Sequence, residues 1–421
     1  MLQLLFHIAM AAPPGTTLPH IEATAADVAL RRELPLLAPV DSAMFTEAEL
    51  RERIETSLLE DYPADEIRGD AATLVALGFC EPGVDLFAVY REIFVEQIGG
   101  FYDPSERRLV LVRRPDGDAS MEQIVVEHEL VHALQDQSFD LTALDERPFD
   151  DSDIETAIHA LVEGDASFFN VLGMAGEFVG NISSLPLGNG GAAVHSEPGT
   201  ALAAAPDILS RSLVFPYIQG AAFVQALHAS DGYRAVNVAY RSRPPLSTEQ
   251  ILHPDRYLAL IPDWPIAVTL PETLDAGSAW TVVDEDTLGE LGMLSWLEAV
   301  GGQVAVGTPL GWGGDRYRTY LTPEGQPVLA WYTVWDSPQD AERFATRAKG
   351  VVEARHGGSW RSDGSLRTAG RAEAMVKRDG AVVTLVFGAP RRTARSLVSA
   401  MRSGTTTQER SSAQVFTRPV K

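Results

Sequence analysis

Two spacings of hydrophobic residues divide the chain into a helical part and a mixed part. From residue 24 to residue 96, apolar residues recur three or four positions apart, as Leu50, Ile54 and Leu58 do, which indicates amphipathic helices. Thr46 and Glu49 precede this run with the spacing of a helix-starting capping box. From about residue 280, strand-like runs alternate with helical runs. The pattern predicts an α+β protein whose first part is mainly helical, with a small β-hairpin or sheet.

The segments between these two parts carry clear start and turn signals. Residues 98–112 contain two strand-like runs on either side of an Asp-Pro-Ser turn, which predicts a β-hairpin. Capping patterns that begin with serine predict helices over 121–137 and from 152 to about 175. Residues 180–206 are rich in Gly, Ala and Pro and predict a long surface loop. A helical pattern returns over 217–230.

The last part of the chain predicts a compact unit of strands and helices over residues 280–405. Residues 328–335 form a strand that is apolar on both faces, which is typical of a central strand. A helix follows over 338–355, then a hairpin over 374–387, and a final helix over 392–401. We interpret this unit as a C-terminal α+β domain of the ferredoxin-like type.

The domain organisation follows from these elements. We expect one domain over residues 21–275, with its helical N-terminal part at 24–96 and its active-site helices within 120–175, and a tail at 406–421. Residues 1–20 contain a short apolar run that ends in Ala-Met-Ala but has no preceding Lys or Arg, so they indicate either a truncated signal peptide or a disordered start. A signal peptide would imply export to the periplasm or the medium, and its absence would imply the cytoplasm.

Composition and charge exclude several classes of function. The 421 residues carry a net charge of −24, and residues 1–200 alone hold 36 acidic and 11 basic residues. A field of this sign repels phosphate backbones, so we expect no nucleic-acid partner for this half. No stretch in the body of the chain has the roughly 18 consecutive apolar residues of a membrane-spanning helix. Cys80 is the only cysteine, so any metal must be held by His, Asp or Glu.

The predicted helix 121–137 carries the pattern H-E-x-x-H as His128, Glu129 and His132. Residues four positions apart lie on one face of a helix, so both imidazoles can reach one metal ion. Zinc lowers the pKa of a water molecule that it holds towards about 7, and the carboxylate of Glu129 can then take a proton from this water. The alternative is a pair of buried histidines that hydrogen-bond neighbouring carbonyl groups.

A hydrolytic zinc site needs a third protein ligand, and the next predicted helix offers two carboxylates. Glu163 shares a face with the small residues Ala160 and Ser167, which allow close helix packing, so we predict it as the third ligand. Asp165 lies in the apolar stripe and is predicted to orient a ligand histidine through the other ring nitrogen. In the alternative, Glu163 is a solvated carboxylate, and Asp165 or His159 takes its place.

These two motifs, HELVHALQDQ at residues 128–137 and ALVEGDA at 160–166, resemble those of the gluzincins, the thermolysin-like superfamily of zinc peptidases. The whole set is similar to an uncharacterised bacterial family of predicted metallopeptidases, with further similar motifs at 98–104, 215–220 and 247–254. The resemblance implies a zincin-like fold that holds Zn²⁺ and acts on a peptide or protein substrate. The implied roles fall on the residues already singled out.

Two residues outside these motifs are candidates for stabilising the oxyanion that develops during peptide hydrolysis. Tyr217, at a predicted helix start, can donate a hydrogen bond without carrying charge, and His253 precedes Pro254 at a predicted helix end. For both, ordinary packing or a capping hydrogen bond is an equally good reading. The strand 109–112 is a candidate edge strand for pairing with an extended peptide.

The sequence therefore predicts a zinc metallopeptidase in which Zn²⁺ is bound by His128, His132 and Glu163 and Glu129 activates the water. One alternative is a catalytically inactive zincin-fold protein that binds a partner or serves as a scaffold through its C-terminal domain. Another is hydrolysis of a non-peptide amide at the same site.

Overall fold

The computed structural model describes Leu18 and residues 20–114, 119–145, 151–177, 200–274, 279–301, 311–368 and 373–412. The predicted signal segment before residue 18 and residues 180–199 of the predicted loop lie outside these ranges. The described residues form a mixture of helices and strands, which confirms the α+β class. None of the described helices combines the length and the apolar character needed to cross a bilayer.

The N-terminal part is a helical layer around a small sheet. Its helices are α1 (Ile21–Arg32), α2 (Glu47–Asp61), α3 (Ala64–Leu77) and α4 (Leu86–Gln97), and its strands are β1 (Asp41–Thr46), β2 (Gly100–Asp103) and β3 (Arg108–Arg113). Thr46 caps α2 in the predicted capping box with Glu49. The predicted hairpin is formed by β2 and β3, which pair in antiparallel fashion, whereas β1 pairs with β3 in parallel. β3 is therefore the central strand, and the prediction that it is an edge strand is wrong.

The middle of the chain supplies the helices that carry the candidate site. They are α5 (Ala119–Phe139), α6 (Leu141–Asp145), α7 (Ser152–Glu177), α8 (Ala201–Ala204), α9 (Asp207–Arg241), α10 (Thr248–Leu252) and α11 (Pro254–Leu258). α5 packs against β2, β3, α1 and α7, and α7 packs along α9. α9 begins ten positions before Tyr217, so the prediction that Tyr217 lies at a helix start is wrong. The cause is Pro216, which suggests a helix start but is accommodated inside α9.

Three small residues let α7 and α9 approach each other closely. A Cβ atom added at Gly220 of α9 would lie 2.1 Å from the carbonyl oxygen of Ala160, and one added at Gly164 of α7 would lie 2.2 Å from the carbonyl carbon of Gly220. Real Cβ atoms do not approach backbone atoms this closely, so both positions require glycine. The contact fixes the distance between the α7 turn that holds Glu163 and the α9 turn that holds Tyr217.

The C-terminal part is built on a five-stranded antiparallel sheet. Its elements are β5 (Thr281–Asp286), α12 (Gly289–Gly301), β6 (Trp312–Leu321), β7 (Pro327–Trp335), α13 (Pro338–His356), β8 (Ser359–Trp360), β9 (Leu366–Arg367), β10 (Glu373–Asp379), β11 (Val382–Ala389) and α14 (Arg391–Gly404). The strand order of the sheet is β10-β11-β7-β6-β5. β7 lies in the middle of the sheet and is buried on both faces, as predicted. The predicted hairpin over 374–387 is formed by β10 and β11.

The two long helices of this unit cover opposite faces of the sheet. Phe344 of α13 packs with Trp331 and the other side chains on one face, whereas Leu397 of α14 packs with Ala330 and Tyr332 on the other. In a ferredoxin-like domain each helix joins two parallel strands that have another strand between them. Here α12 joins β5 and β6, which pair directly in antiparallel fashion. The ferredoxin-like prediction is therefore wrong, because strand patterns indicate where the strands lie along the chain but not the order in which they pair.

The N-terminal and C-terminal parts of the chain contact each other through a pair of strands and through side-chain hydrogen bonds. The strands β4 (Ile266–Thr269) and β12 (Thr406–Glu409) pair, so the predicted tail begins as a strand. Side chains from the C-terminal part also cap the end of α3. Arg355 donates hydrogen bonds to the carbonyl oxygens of Ala76, at 3.1 Å, and Val75, at 2.9 Å, and Trp296 donates to that of Leu77, at 3.0 Å. The last carbonyl groups of a helix have no hydrogen-bond donors within the helix, so these side chains of the C-terminal part supply the missing donors for α3.

Candidate metal centre

The two histidines of the H-E-x-x-H pattern project from one face of α5. His128 and His132 are one helical turn apart, and their rings are nearly perpendicular, with centroids 4.8 Å apart. Leu130, Val131 and Leu134 on the rest of the helix are buried against α1 and the small sheet. The packing of this apolar surface leaves the histidine face directed at α7.

Glu163 of α7 meets both imidazoles. Its Oε2 lies 3.0 Å from Nε2 of His128 and 3.4 Å from Nε2 of His132. One ligand atom from each of the three residues lies within 4.8 Å of the other two, an arrangement that could hold a metal ion. The structure thus brings together the three residues that the sequence analysis selected as ligands. His159, one turn earlier on α7, lies beside the other carboxylate oxygen at 3.4 Å.

Glu163 and His132 each stabilise the charged form of the other. Burial alone would raise the pKa of the Glu163 carboxyl, but the imidazoles around it hold this pKa well below its usual range. Burial likewise opposes protonation of His132, but the Glu163 carboxylate outweighs it and raises the pKa of His132 to about 9. A buried carboxylate is therefore ionised at the point where a cation would sit.

Glu129 lies on the same side of α5, next to the ligand set. It is 7% exposed, and burial raises the pKa of its carboxyl above the usual value despite the two nearby imidazoles. The backbone N–H of Tyr102 in β2 donates a hydrogen bond to it. A carboxylate with a raised pKa is better suited to taking up and releasing a proton near neutral pH than an ordinary glutamate.

Tyr217 of α9 completes this group. Its ring stacks on the imidazole of His128, with centroids 6.1 Å apart, and its hydroxyl hydrogen-bonds to Glu163. Burial and the nearby carboxylates of Glu163 and Glu129 raise its pKa well above 10, so the phenol stays neutral and keeps its proton. Tyr217 is thus a neutral hydrogen-bond donor within the candidate site.

His253 lies elsewhere. It ends α10 and precedes α11, as its position before Pro254 predicted, and its Nε2 lies 2.9 Å from Oε2 of Glu290 in α12. It is absent from the lining of the cavity at the ligand set. The prediction that His253 stabilises an oxyanion is wrong, because its imidazole is directed at the interface with α12.

Asp165 is connected to the site indirectly, through Gln135, a residue that the sequence pattern did not single out. Nδ1 of His132 lies 2.8 Å from Oε1 of Gln135, and Nε2 of Gln135 donates to Asp165 at 2.9 Å. Asp165 itself forms a two-bond ion pair with Arg32 of α1, and neither side chain of this pair is exposed. The predicted direct contact between Asp165 and a ligand histidine is therefore wrong. The helical spacing from His132 to Gln135 was the available signal, but nothing local pointed to Arg32.

A cavity of about 450 Å³ opens above the ligand set. His128, Glu129, His132, Glu163 and Tyr217 form part of its wall. Most of the remaining lining is apolar and comes from α4, β2, α5 and α9, with the side chains of Ile93, Phe94, Phe101, Ile124, Val125, Leu213 and Val214. The polar side chains are thus concentrated around the ligand set within a largely apolar pocket, the usual form of a small-molecule or peptide site.

A second group of carboxylates with metal-like spacing has a different partner. Glu249, Asp263 and Asp336 bring carboxylate oxygens within 4.8 Å of one another. Nη1 of Arg256 lies 2.7 Å from the first, 2.8 Å from the second and 3.1 Å from the third. The guanidinium of Arg256 thus already contacts all three carboxylates where a cation would sit, and we regard this cluster as structural.

Comparison with known proteins identifies one family, in the C-terminal part. A family model described as "Domain of unknown function (DUF8575)" matches residues 279–399, which span the sheet unit from β5 into α14. Neither the curated proteins nor the solved structures contain a match to the chain. The matched segment excludes the H-E-x-x-H helix and α7, so the argument about function rests on the residues of the site itself.

Proposed function

We propose that this protein is a zinc-dependent peptidase with a zincin-like catalytic domain related to the gluzincins. The observation that carries the proposal is the convergence of His128, His132 and Glu163, from two helices, at the wall of a cavity that also contains Glu129. If the H-E-x-x-H pattern had arisen by chance, nothing would bring Glu163, 31 positions after His132, into contact with both imidazoles. The arrangement is what a hydrolytic site needs.

The donor set suits zinc. Two imidazole nitrogens and one carboxylate oxygen are typical ligands of catalytic zinc, which keeps a further position open for water or substrate. Bound there, zinc would lower the pKa of a water molecule to about 7 and polarise the carbonyl group of a substrate. The low pKa of Glu163 favours this set, since the carboxylate is already ionised.

The chain's own groups supply the proton transfers and a hydrogen-bond donor. Glu129 takes a proton from the attacking water and passes it to the leaving amine, and its buried, raised-pKa carboxyl suits both steps. Tyr217 donates a hydrogen bond from a neutral phenol to the oxygen on which negative charge develops. Both side chains lie on the wall of the same cavity as the ligand set.

The cavity favours a peptide substrate in an extended conformation. β2 lies along it and is an edge strand of its sheet, whose described order is β1-β3-β2. An edge strand can pair with the backbone of an extended peptide. The largely apolar lining then receives a side chain of the peptide rather than its charged groups.

The test compares two isosteric changes on one helix. Glu129→Gln removes the proton acceptor and should abolish cleavage of an unfolded protein substrate while zinc, measured by atomic absorption, stays bound. Glu127→Gln makes the same change two positions earlier, where the carboxylate pairs with Arg31 outside the cavity lining, and should remain active. Activity of the wild-type protein should disappear on treatment with a chelator and return with added zinc.

The same experiment distinguishes the other readings. Zinc binding without turnover of any peptide would favour an inactive zincin-fold protein that binds partners. Turnover of acyl-amide compounds but not of peptides would favour a non-peptide amidase. Full activity of the Glu129→Gln variant would contradict the proposed mechanism.

A further inference from the structure

A continuous line of buried polar side chains connects α1 to the imidazole of His132. It runs from Arg32 to Asp165, from Asp165 to Gln135, and from Gln135 to Nδ1 of His132. We propose that Gln135 is a positioning residue that fixes the imidazole of His132 for metal binding, and that Arg32 holds Gln135 in place through Asp165. The inference rests on the metal centre of the proposed function.

The orientation of the Gln135 amide follows from its neighbours. Its Nε2 faces two groups that can only accept hydrogen bonds, the carbonyl oxygen of Val162 at 3.1 Å and the carboxylate of Asp165 at 2.9 Å. The amide nitrogen must point towards these acceptors, so Oε1 faces His132. An amide oxygen only accepts, and Nδ1 of His132 must therefore carry a hydrogen. In a neutral imidazole this places the lone pair on Nε2, the nitrogen that faces Glu163.

Arg32 and Tyr240 hold Asp165 in addition to Gln135. Arg32 donates to both of its oxygens at 2.8 Å, and the hydroxyl of Tyr240 donates to Oδ2 at 3.2 Å. The guanidinium of Arg32 also donates to Asn237 and lies 4.2 Å from the centre of the Tyr233 ring. A charged pair that is fully shielded from water is held in one geometry by its partners, so the acceptor offered to Gln135 does not move.

Two helices thus contribute to the metal centre without a ligand of their own. α1 supplies Arg32, and α9 supplies Tyr240 and Asn237. Arg32 lies 133 positions before Asp165 in the chain, yet it binds directly to Asp165, which holds Gln135 beside the proposed ligand His132. The affinity for zinc should therefore depend on side chains that never touch the ion.

The first test measures Zn²⁺ affinity by competition with a chelating dye. Gln135→Met keeps a similar volume but cannot accept from His132, and we expect it to weaken Zn²⁺ binding by about 10- to 100-fold. Gln137→Met is the matched control, because the hydrogen bonds of Gln137 within the described residues go to backbone groups at Leu37 and Ala38 on the other side of α5. It should bind Zn²⁺ like the wild type. The thermal midpoint of each metal-free variant separates lost folding from lost affinity.

The second test asks whether Arg32 acts through Gln135. Arg32→Lys keeps the charge but loses the two-bond geometry, and it should weaken Zn²⁺ binding severalfold in the wild-type background. In the Gln135→Met background it should add little, because the connection to His132 is already broken. Tyr240→Phe removes one donor to Asp165 and repeats the comparison with a milder change if Arg32→Lys does not fold.

The outcomes separate this inference from the proposed function. Wild-type affinity for Zn²⁺ in a folded Gln135→Met variant would overturn the role of Gln135. An equal effect of Arg32→Lys in both backgrounds would overturn the role of Arg32. Failure of the wild-type protein to bind Zn²⁺ would overturn the metal centre and this inference together.

Discussion

Oε2 of Glu163 lies 3.0 Å from Nε2 of His128, although 35 positions separate the two residues. The contact exists because α5 and α7 pack side by side and because Gly164, next to Glu163, packs directly against α9. The proposed metal centre should therefore depend both on its ligand residues and on the spacing of the helices behind them.

The role of Glu163 as a ligand predicts a large effect on metal affinity. Glu163→Gln replaces an ionised carboxylate with a neutral amide and should weaken Zn²⁺ binding by more than about 100-fold, beyond the range typical of supporting residues. Competition with a chelating dye measures this loss. Glu155→Gln, two turns earlier on α7, serves as the control and should bind normally. Equal affinity of both variants would mean that Glu163 is not a ligand.

The two predicted oxyanion donors should now behave differently. Tyr217→Phe removes a buried phenolic donor from the cavity and should lower kcat by about 100-fold with a smaller change in KM. His253→Gln should leave kcat unchanged, because His253 contacts Glu290 and does not line the cavity. Steady-state kinetics on one peptide substrate checks both. A large fall in kcat for His253→Gln would contradict the assignment.

The close approach of α7 and α9 predicts opposite effects for two glycine substitutions. Gly220→Ala forces a methyl group against the Ala160 carbonyl and should lower the free energy of unfolding by about 1–3 kcal/mol or more. Gly350→Ala in α13 meets no atom within 4 Å and should raise it by about 0.5–1 kcal/mol. Urea unfolding measures both. A neutral Gly220→Ala variant would show that the helices can separate at little cost.

The metal-free protein should lose stability as the pH rises above neutrality. The Glu163 carboxylate outweighs the opposing effect of burial and raises the pKa of His132 to about 9, from an ordinary value of 6.5. A group with a raised folded-state pKa contributes stability that is fully present below the unfolded-state value and is lost as the pH rises through the folded-state value. We expect a loss of at most about 3 kcal/mol between pH 6.5 and 9 from this group.

Urea unfolding of chelator-treated protein across this pH range measures the loss. The Glu163→Gln variant lacks the carboxylate and should show a smaller dependence. Zinc-loaded protein should show the opposite trend at the acidic end, since zinc competes with protons for the same imidazoles. Parallel curves for the wild type and Glu163→Gln would contradict the assigned cause.

Local signals were sufficient for the two helices that carry the proposed ligands. The four-residue step from His128 to His132 and the pattern of Ser152 and Glu155 that predicts the start of α7 depend only on neighbours along the chain. The choice of Glu163 over Asp165 rested on the small residues beside it, and the structure directs these two carboxylates to different partners.

Features that depend on contacts between residues far apart in the chain could not be predicted from local sequence patterns. Arg32 lies on a short helix and has no local signal for burial, because arginine is usually exposed. The start of α9 was misplaced because Pro216 imitates a helix start. The side of the sheet on which α14 packs is decided by long-range contacts, and no pattern of apolar residues encodes it.

The capping of α3 by the C-terminal part has a consequence for biosynthesis. Arg355 is translated 279 positions after Ala76, whose carbonyl it bonds. Domains usually fold in the order in which they leave the ribosome. Here the N-terminal part leaves the ribosome first, yet the last turn of α3 and the apolar surface around Leu77 stay uncovered until the C-terminal part follows. The nascent chain therefore exposes the last turn of α3 until Arg355 has been added, 279 positions after Ala76.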